Sequence, residues 1–151
     1  MATARPPISM TKTKVAFSPA RPATHDQAGF DALTWTVAHS VVSVGDIGAT
    51  RSVGSIKTLD DGTYKPIGQR DLGNATVDFL YVSDDAGQIA IAAAEKATTL
   101  GSLRITYVTG EIRYYAVGVS KAIVGHGADG KEVMLKTEFP ISGDEVIVAA
   151  P

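Results

Sequence analysis

The chain contains no cysteine, so disulfides and thiolate metal ligands have no part in its fold or chemistry. That absence fits a reducing compartment. There is almost no net charge either: −2 over 151 residues gives no basic footprint for tight nucleic-acid binding. No stretch approaches the roughly 20 consecutive apolar residues of a membrane-spanning helix. Residues 1–14 hold Arg5 followed by Pro6 and Pro7 but no apolar core, so no secretory signal is expected and a cytoplasmic location is. What the chain does have is the composition of a soluble globular protein, with 44% hydrophobic and 20% charged residues. Its length suits a single domain with a real core. We expect a flexible arm over 1–13 and one domain over 14–151.

One segment reads as a helix, at about residues 84–99. Ala86, Ile89, Ala90, Ala93 and Ala97 recur at helical period and predict its buried face, with Ile91 and Ala94 extending the apolar surface and mainly Gln88, Ala92, Glu95 and Thr99 outside. Asp85 with Gln88 has capping-box spacing, and Gly101 is the expected C-terminal stop. Nearly everything else reads as β-strand. Strands are expected at 14–18, 34–44, 50–59, 75–82, 103–109, 113–124 and 132–139, with a last edge strand at 145–149. Residues 24–33 read as a loop with one helical turn, and 63–74 as a long loop or the end of a protruding hairpin. Val77, Phe79 and Tyr81 share one face, and Thr109-Gly110-Glu111 marks a tight turn between antiparallel strands. A mainly β chain with one flanking helix predicts a β-sandwich or barrel.

No segment supports catalysis or a cofactor. Gly125-His126-Gly127-Ala128-Asp129-Gly130 fits G-x-G-x-x-G, but residues 132–137 beyond it have strand period, whereas phosphate cradles open a helix. His25, His39 and His126 lie far apart, with no ligand spacing between them. Ser120 resembles a nucleophile elbow only loosely, because it lies in a predicted strand. Asp60-Asp61 and Asp84-Asp85 are accounted for by a turn and a helix cap. Neither an enzyme nor a metal or cofactor site is expected. The strand at 50–59 lacks a bulky apolar face, and exposed strand edges have to be protected or paired with another chain.

An ordered series of short segments resembles the major tail tube proteins of long, non-contractile phage tails, including phage-derived particles. It begins with Ala28-Gly29-Phe30-Asp31-Ala32-Leu33-Thr34-Trp35 and Val44-Gly45-Asp46-Ile47-Gly48. Leu59-Asp60-Asp61-Gly62 and Ile67-Gly68-Gln69-Arg70-Asp71-Leu72-Gly73 come next, then Asp84-Asp85-Ala86-Gly87-Gln88. Leu103-Arg104-Ile105-Thr106 leads on into Tyr114-Tyr115-Ala116-Val117-Gly118-Val119-Ser120. Residues 1–13 have no counterpart in that series.

The resemblance implies a sandwich-like tube subunit that assembles into stacked hexameric rings around a continuous lumen, through which double-stranded DNA passes without sequence-specific binding. The partners it implies are further copies of the chain, a tape measure protein, and tail tip and terminator proteins. The implied location is the virion tail, assembled in the bacterial host cytoplasm. Carried over by position, the hairpin at 50–74 reaches an adjacent ring, with Asp60, Asp61, Tyr64, Lys65, Gln69, Arg70 and Asp71 as contact residues. Asp46, Arg51, Ser55 and Lys57 are lumen candidates, and the two cations would need acidic neighbours such as Asp46. Two alternatives stand beside this: the inner tube of a contractile injection or secretion system, and a monomeric β-sandwich binding module with its ligand at residues 65–74.

Overall fold

A computed structural model describes residues 7–60, 62–128 and 130–151. Two antiparallel sheets pack face to face. The five-stranded sheet has the order β13-β10-β9-β1-β2 and the four-stranded sheet β11-β12-β8-β3. The strands of the first are β1 (Lys14–Ser18), β2 (Thr36–Ala38), β9 (Gly101–Thr106), β10 (Ile112–Val117) and β13 (Val146–Val148). Those of the second are β3 (Val41–Val44), β8 (Asn74–Leu80), β11 (Lys121–Gly125) and β12 (Met134–Pro140). Both sheets end on free edges, so the fold is a sandwich and not a closed barrel.

Alternation in the sequence sets the sandwich. Along β8, Ala75, Val77 and Phe79 point inward while Asn74, Thr76 and Leu80 are exposed; along β12, Leu135, Thr137 and Phe139 point inward. Opposite them lie Val15, Phe17, Leu103, Ile105, Tyr115 and Val117 of the five-stranded sheet. Each fully buried Val, Leu or Phe contributes about 1.5–3 kcal/mol. β1 sits between β9 and β2 with both faces covered, which is why four of its five residues are buried. A second cluster, Phe30, Tyr114 and Ala116, lies on the far face of that sheet beneath α1 (Gln27–Asp31), the expected single turn of helix.

Two expected strands are each divided between the sheets. Residues 34–44 form β2 and β3, because the chain crosses from one sheet to the other at His39-Ser40, where Ser40 takes φ 63°. Residues 113–124 form β10 and β11, with the crossing at 118–120. Alternation continues through both crossings, so periodicity alone reads each pair as one strand. Tyr81 lies past the end of β8 and is exposed. The hairpin between β9 and β10 and the edge position of β13 are as expected.

The main helix, α2, runs Ala86–Ala97 and starts at Asp85, whose carboxylate accepts from Gln88 N at 3.1 Å. Its buried face is Gly87, Gln88, Ile91 and Ala94, rotated from the expected one; Ile89 is 54% exposed. The cause is a close approach. A Cβ on Gly87 would stand 2.5 Å from Ala38 Cα, so only this glycine lets the first turn rest on the β2 backbone. Gln88, expected outside, is buried and acts as a connector. Its amide nitrogen donates to Leu80 O at 2.9 Å and His39 O at 3.3 Å, and its Oε1 accepts from Val82 N at 3.1 Å. The helix ends on left-handed Thr98 instead of Gly101, which opens β9 where a Cβ would meet Ser18 O at 2.5 Å.

This packing is testable at neighbouring positions. Gln88→Leu strands three backbone groups on two segments and should lower stability by about 2–3 kcal/mol in urea unfolding. Ile89→Ser, one position along, should cost under about 0.5 kcal/mol. In the sheet, burial and a 2.5 Å bond to Asp31 push the Tyr114 hydroxyl up to about 12, and burial with the Glu145 bond raises Tyr115 as well. Their raised values favour the folded state below the ordinary tyrosine range near pH 10. Stability should therefore fall as pH climbs from about 10 towards 12, and Tyr115→Phe should flatten that fall in alkaline melting curves.

Candidate assembly surface

Between the sheets' strands β3 and β8 the chain leaves the sandwich as a two-stranded arm. β4 (Thr50–Val53) pairs with β7 (Ile67–Asp71), and β5 (Ile56–Thr58) pairs with β6 (Gly62–Tyr64). Gly54 N donates to Pro66 O at 2.9 Å and carries the pairing across the break between the two ladders. The expected strand 50–59 is thus interrupted at Gly54-Ser55, and most of the expected loop at 63–74 is strand, because the polar run finds its partner in 50–58. The hairpin reading of this region holds. Among the described residues, these four strands pair only with one another.

Every described residue of those strands is exposed, large apolar side chains included. Val53 lies opposite Ile67 and Ile56 opposite Tyr64, each 54–71% exposed, and Leu59 at the tip is fully exposed. Burying such groups would contribute about 1.5–3 kcal/mol each. Among the described residues of this chain, nothing covers them.

The expected contact residues fall on this arm. Asp60 is at the tip, while Asp61 lies outside the described residues. Tyr64, Lys65 and Gln69 are exposed and project from the arm with no side-chain hydrogen bond or ion pair among the described residues. Arg70 and Asp71 are instead engaged at the root. Arg70 pairs with Asp144 in the loop before β13, and Asp71 accepts from Gly73 N at 2.9 Å. Behind them Tyr115 donates to Glu145 at 2.9 Å, and Arg113 bonds the same carboxylate at 3.2 Å. Asp144 also offers its carbonyl to His25 Nε2 at 2.6 Å.

Three of the four expected lumen residues share the same arm; Asp46 precedes it. Arg51 stands directly opposite Arg70, Lys57 opposite Thr63, and Ser55 lies in the break. Like charges facing each other across a ladder repel, and Asp144 relieves only Arg70. Arg51 donates to Gly68 O at 3.4 Å, and Asp46, exposed between β3 and β4, pairs with neither Arg51 nor Lys57.

Sequence reasoning missed a second polar surface, the outward face of the four-stranded sheet. Lys136 lies opposite Asp78, and Glu138 opposite both Thr76 and Lys121. Asn74 donates to Glu138. Signs alternate, so the wall is charged but nearly balanced. The signal was present: the outward parity of 74–78 and 136–138 is polar.

The motifs set aside from the sequence stay apart. The Gly-rich run joins β11 to β12, and Ser120 Oγ donates to Glu138 O at 3.3 Å. Among the described residues, no group of three or more His, Asp or Glu side chains is placed to hold a metal, and no helix is long and apolar enough to cross a membrane.

No family model and no curated protein matches the chain. Solved structures do. A chain of the six-fold symmetrised anti-feeding prophage baseplate superposes with a TM-score of 0.67 at 9% identity, over 98% of this chain and 99% of that one. The SPP1 tail tube protein gives 0.64 at 14% identity, over 93% and 78%. A chain of the anti-feeding prophage tube-terminating cap gives 0.60 at 10% identity, over 99% and 96%. At such identities the likeness is one of fold, and the fold is that of phage tail tubes.

The root contact carries its own prediction. Asp144→Asn should speed hydrogen exchange of the β4 and β7 amides while shifting global stability by less than about 1 kcal/mol, as expected of an exposed pair. Unchanged exchange in the arm would mean that the ion pair does not hold it.

Proposed function

We propose that the chain is a structural tail-tube subunit that self-assembles into stacked hexameric rings, with no catalytic role. The arm carries this reading: an extension that pairs only with itself and exposes Val53, Ile56, Leu59, Tyr64 and Ile67 is stable as a recognition element once another copy covers it. Two further features support it. The four-stranded sheet ends on two free edges, β11 and β3, which neighbouring copies can close into a ring. The fold is shared with a tail tube and with components of related injection particles.

On this reading the near-neutral outward face of the four-stranded sheet, Asp78, Lys121, Lys136 and Glu138, lines the lumen. Asp46, Arg51, Ser55 and Lys57 join it where the arm spans two rings. A wall of alternating sign holds no continuous phosphate-binding track, so double-stranded DNA slides past. Tape measure, tail tip and terminator proteins are the remaining partners, in a virion tail assembled in the bacterial cytoplasm. The likeness to anti-feeding prophage chains also favours a second reading, the inner tube of a contractile injection system, which differs in recruiting a sheath to the tube's outer face.

Removing the arm tests the proposal. Replacing residues 52–69 by an Asn-Gly turn closes the ladder at Arg51 and Arg70 and leaves both sheets untouched. The expected product is a folded protein with the melting behaviour of the full chain and no tubes by negative-stain electron microscopy, under conditions where the full chain forms them. Tubes from the shortened chain would overturn the assignment of the arm.

A further inference from the structure

On the outward face of the four-stranded sheet the charges cancel row by row. Lys136 stands opposite Asp78, and Lys121 opposite Glu138. One band of that face is instead apolar. Val42, Leu80 and Ile123 are 54%, 38% and 52% exposed, and half-buried Met134 lies directly opposite Leu80. Ile123 faces Lys136 and Met134 faces Gly125, which makes Ile123 and Met134 diagonal neighbours on adjoining strands. Val42 sits in the bulge of β3, between Val41 opposite Phe79 and Ser43 opposite Asp78. The four side chains thus step across all four strands, near the end of the sheet away from the arm.

The band reaches both free edges, because Val42 belongs to β3 and Ile123 to β11. Side chains stand roughly perpendicular to their sheet, so pairing β11 with the β3 of a neighbouring copy engages backbone and leaves these groups pointing inward. Ring closure then joins the bands into a continuous apolar collar around the lumen. Among the described residues, nothing covers it.

The chemistry of the wall selects the occupant. DNA turns phosphates outward, and aliphatic side chains gain nothing against them. A protein with exposed apolar groups does gain. The closed wall offers no free strand edge, so that protein cannot bind by adding a strand to it. Its backbone must be satisfied internally, as in an α-helix. Six four-stranded sheets with strands about 4.8 Å apart form a wall about 35 Å across between backbones, which admits a small bundle of helices each about 10 Å wide.

Resting on the tube reading and deepening it, we infer that Val42, Leu80, Ile123 and Met134 form a docking collar for an elongated α-helical protein with an apolar stripe. The balanced rows beside the collar oppose neither sign of charge on that protein, and every ring repeats the contact along the axis. The same wall therefore grips a helical occupant and gives the DNA backbone nothing to hold.

The probe is a synthetic amphipathic helix with a single leucine stripe that carries a benzophenone. Tubes assembled around it from the full chain should retain it after pelleting. Irradiation should place adducts within residues 41–44, 74–80, 121–125 or 134–140. Leu80→Ser with Ile123→Ser alters only exposed groups, so this variant should form normal tubes yet retain about tenfold less probe. A helix of equal charge without the leucines should be retained by neither tube.

No retention by wild-type tubes, equal retention by both, or adducts confined to residues 50–71 overturns the docking and leaves the tube reading intact. A folded double variant that makes no tubes assigns the band to contacts between subunits and also overturns it. A wild-type chain that stays monomeric when tail-tip components are added overturns the tube reading and the collar with it.

Discussion

The fold depends on how closely α2 can approach the place where the chain changes sheets. β2 and β3 belong to different layers, and the two residues between them bend sharply, with Ser40 in the left-handed region. Such a bend strands backbone groups that neither ladder can satisfy. Gln88 takes up His39 O and the Asp85 carboxylate takes up His39 N, and Gly87 makes room for both by letting helix and strand meet backbone to backbone. A larger residue at 87 would lift the helix, and the glutamine would lose its reach. The two positions act as a unit, holding one sheet in register over the other.

Against that rigid body the arm follows different physics. Its ladders satisfy its own backbone, yet it buries almost nothing, and its ionic tie to the sandwich is an exposed pair at the root. A hairpin without a covered face is marginal in water. Its large apolar side chains make sense only with a partner, and the proposed assembly supplies one. The root residues Arg113, Tyr115 and Glu145 belong to the sandwich, so the arm's starting direction is set by well-packed groups.

Much of this was legible in the sequence, and what was not has definite causes. The N-cap at Asp85, the strands expected at 14–18 and 75–82, and the hairpin at Gly110 come from local chemistry, and each is present, the second strand as Asn74–Leu80. The buried face of α2 was not legible, because an alanine-rich helix offers two apolar faces and the choice between them lay in a contact with β2. The divided strands were hidden because alternation survives a change of sheet. Gln88 was misplaced for a related reason: a glutamine reads as surface until three orphaned backbone groups surround it. The arm's contact residues were named from a resemblance. Only the structure showed that two of them, Arg70 and Asp71, are already engaged at the root, and that one lumen candidate, Arg51, shares their ladder.

The arm's independence from both sheets has an evolutionary side. Core strands cannot change without repacking a shared interior, whereas the hairpin can accept new side chains at nearly every position while the body folds as before. If ring recognises ring through the arm, compatibility between tubes is inherited as a short, separately mutable cassette. Two related phages assembling in one cell could then keep their tails from mixing by diverging there alone, and the same cassette is where an engineer would set the order of subunits in a synthetic tube.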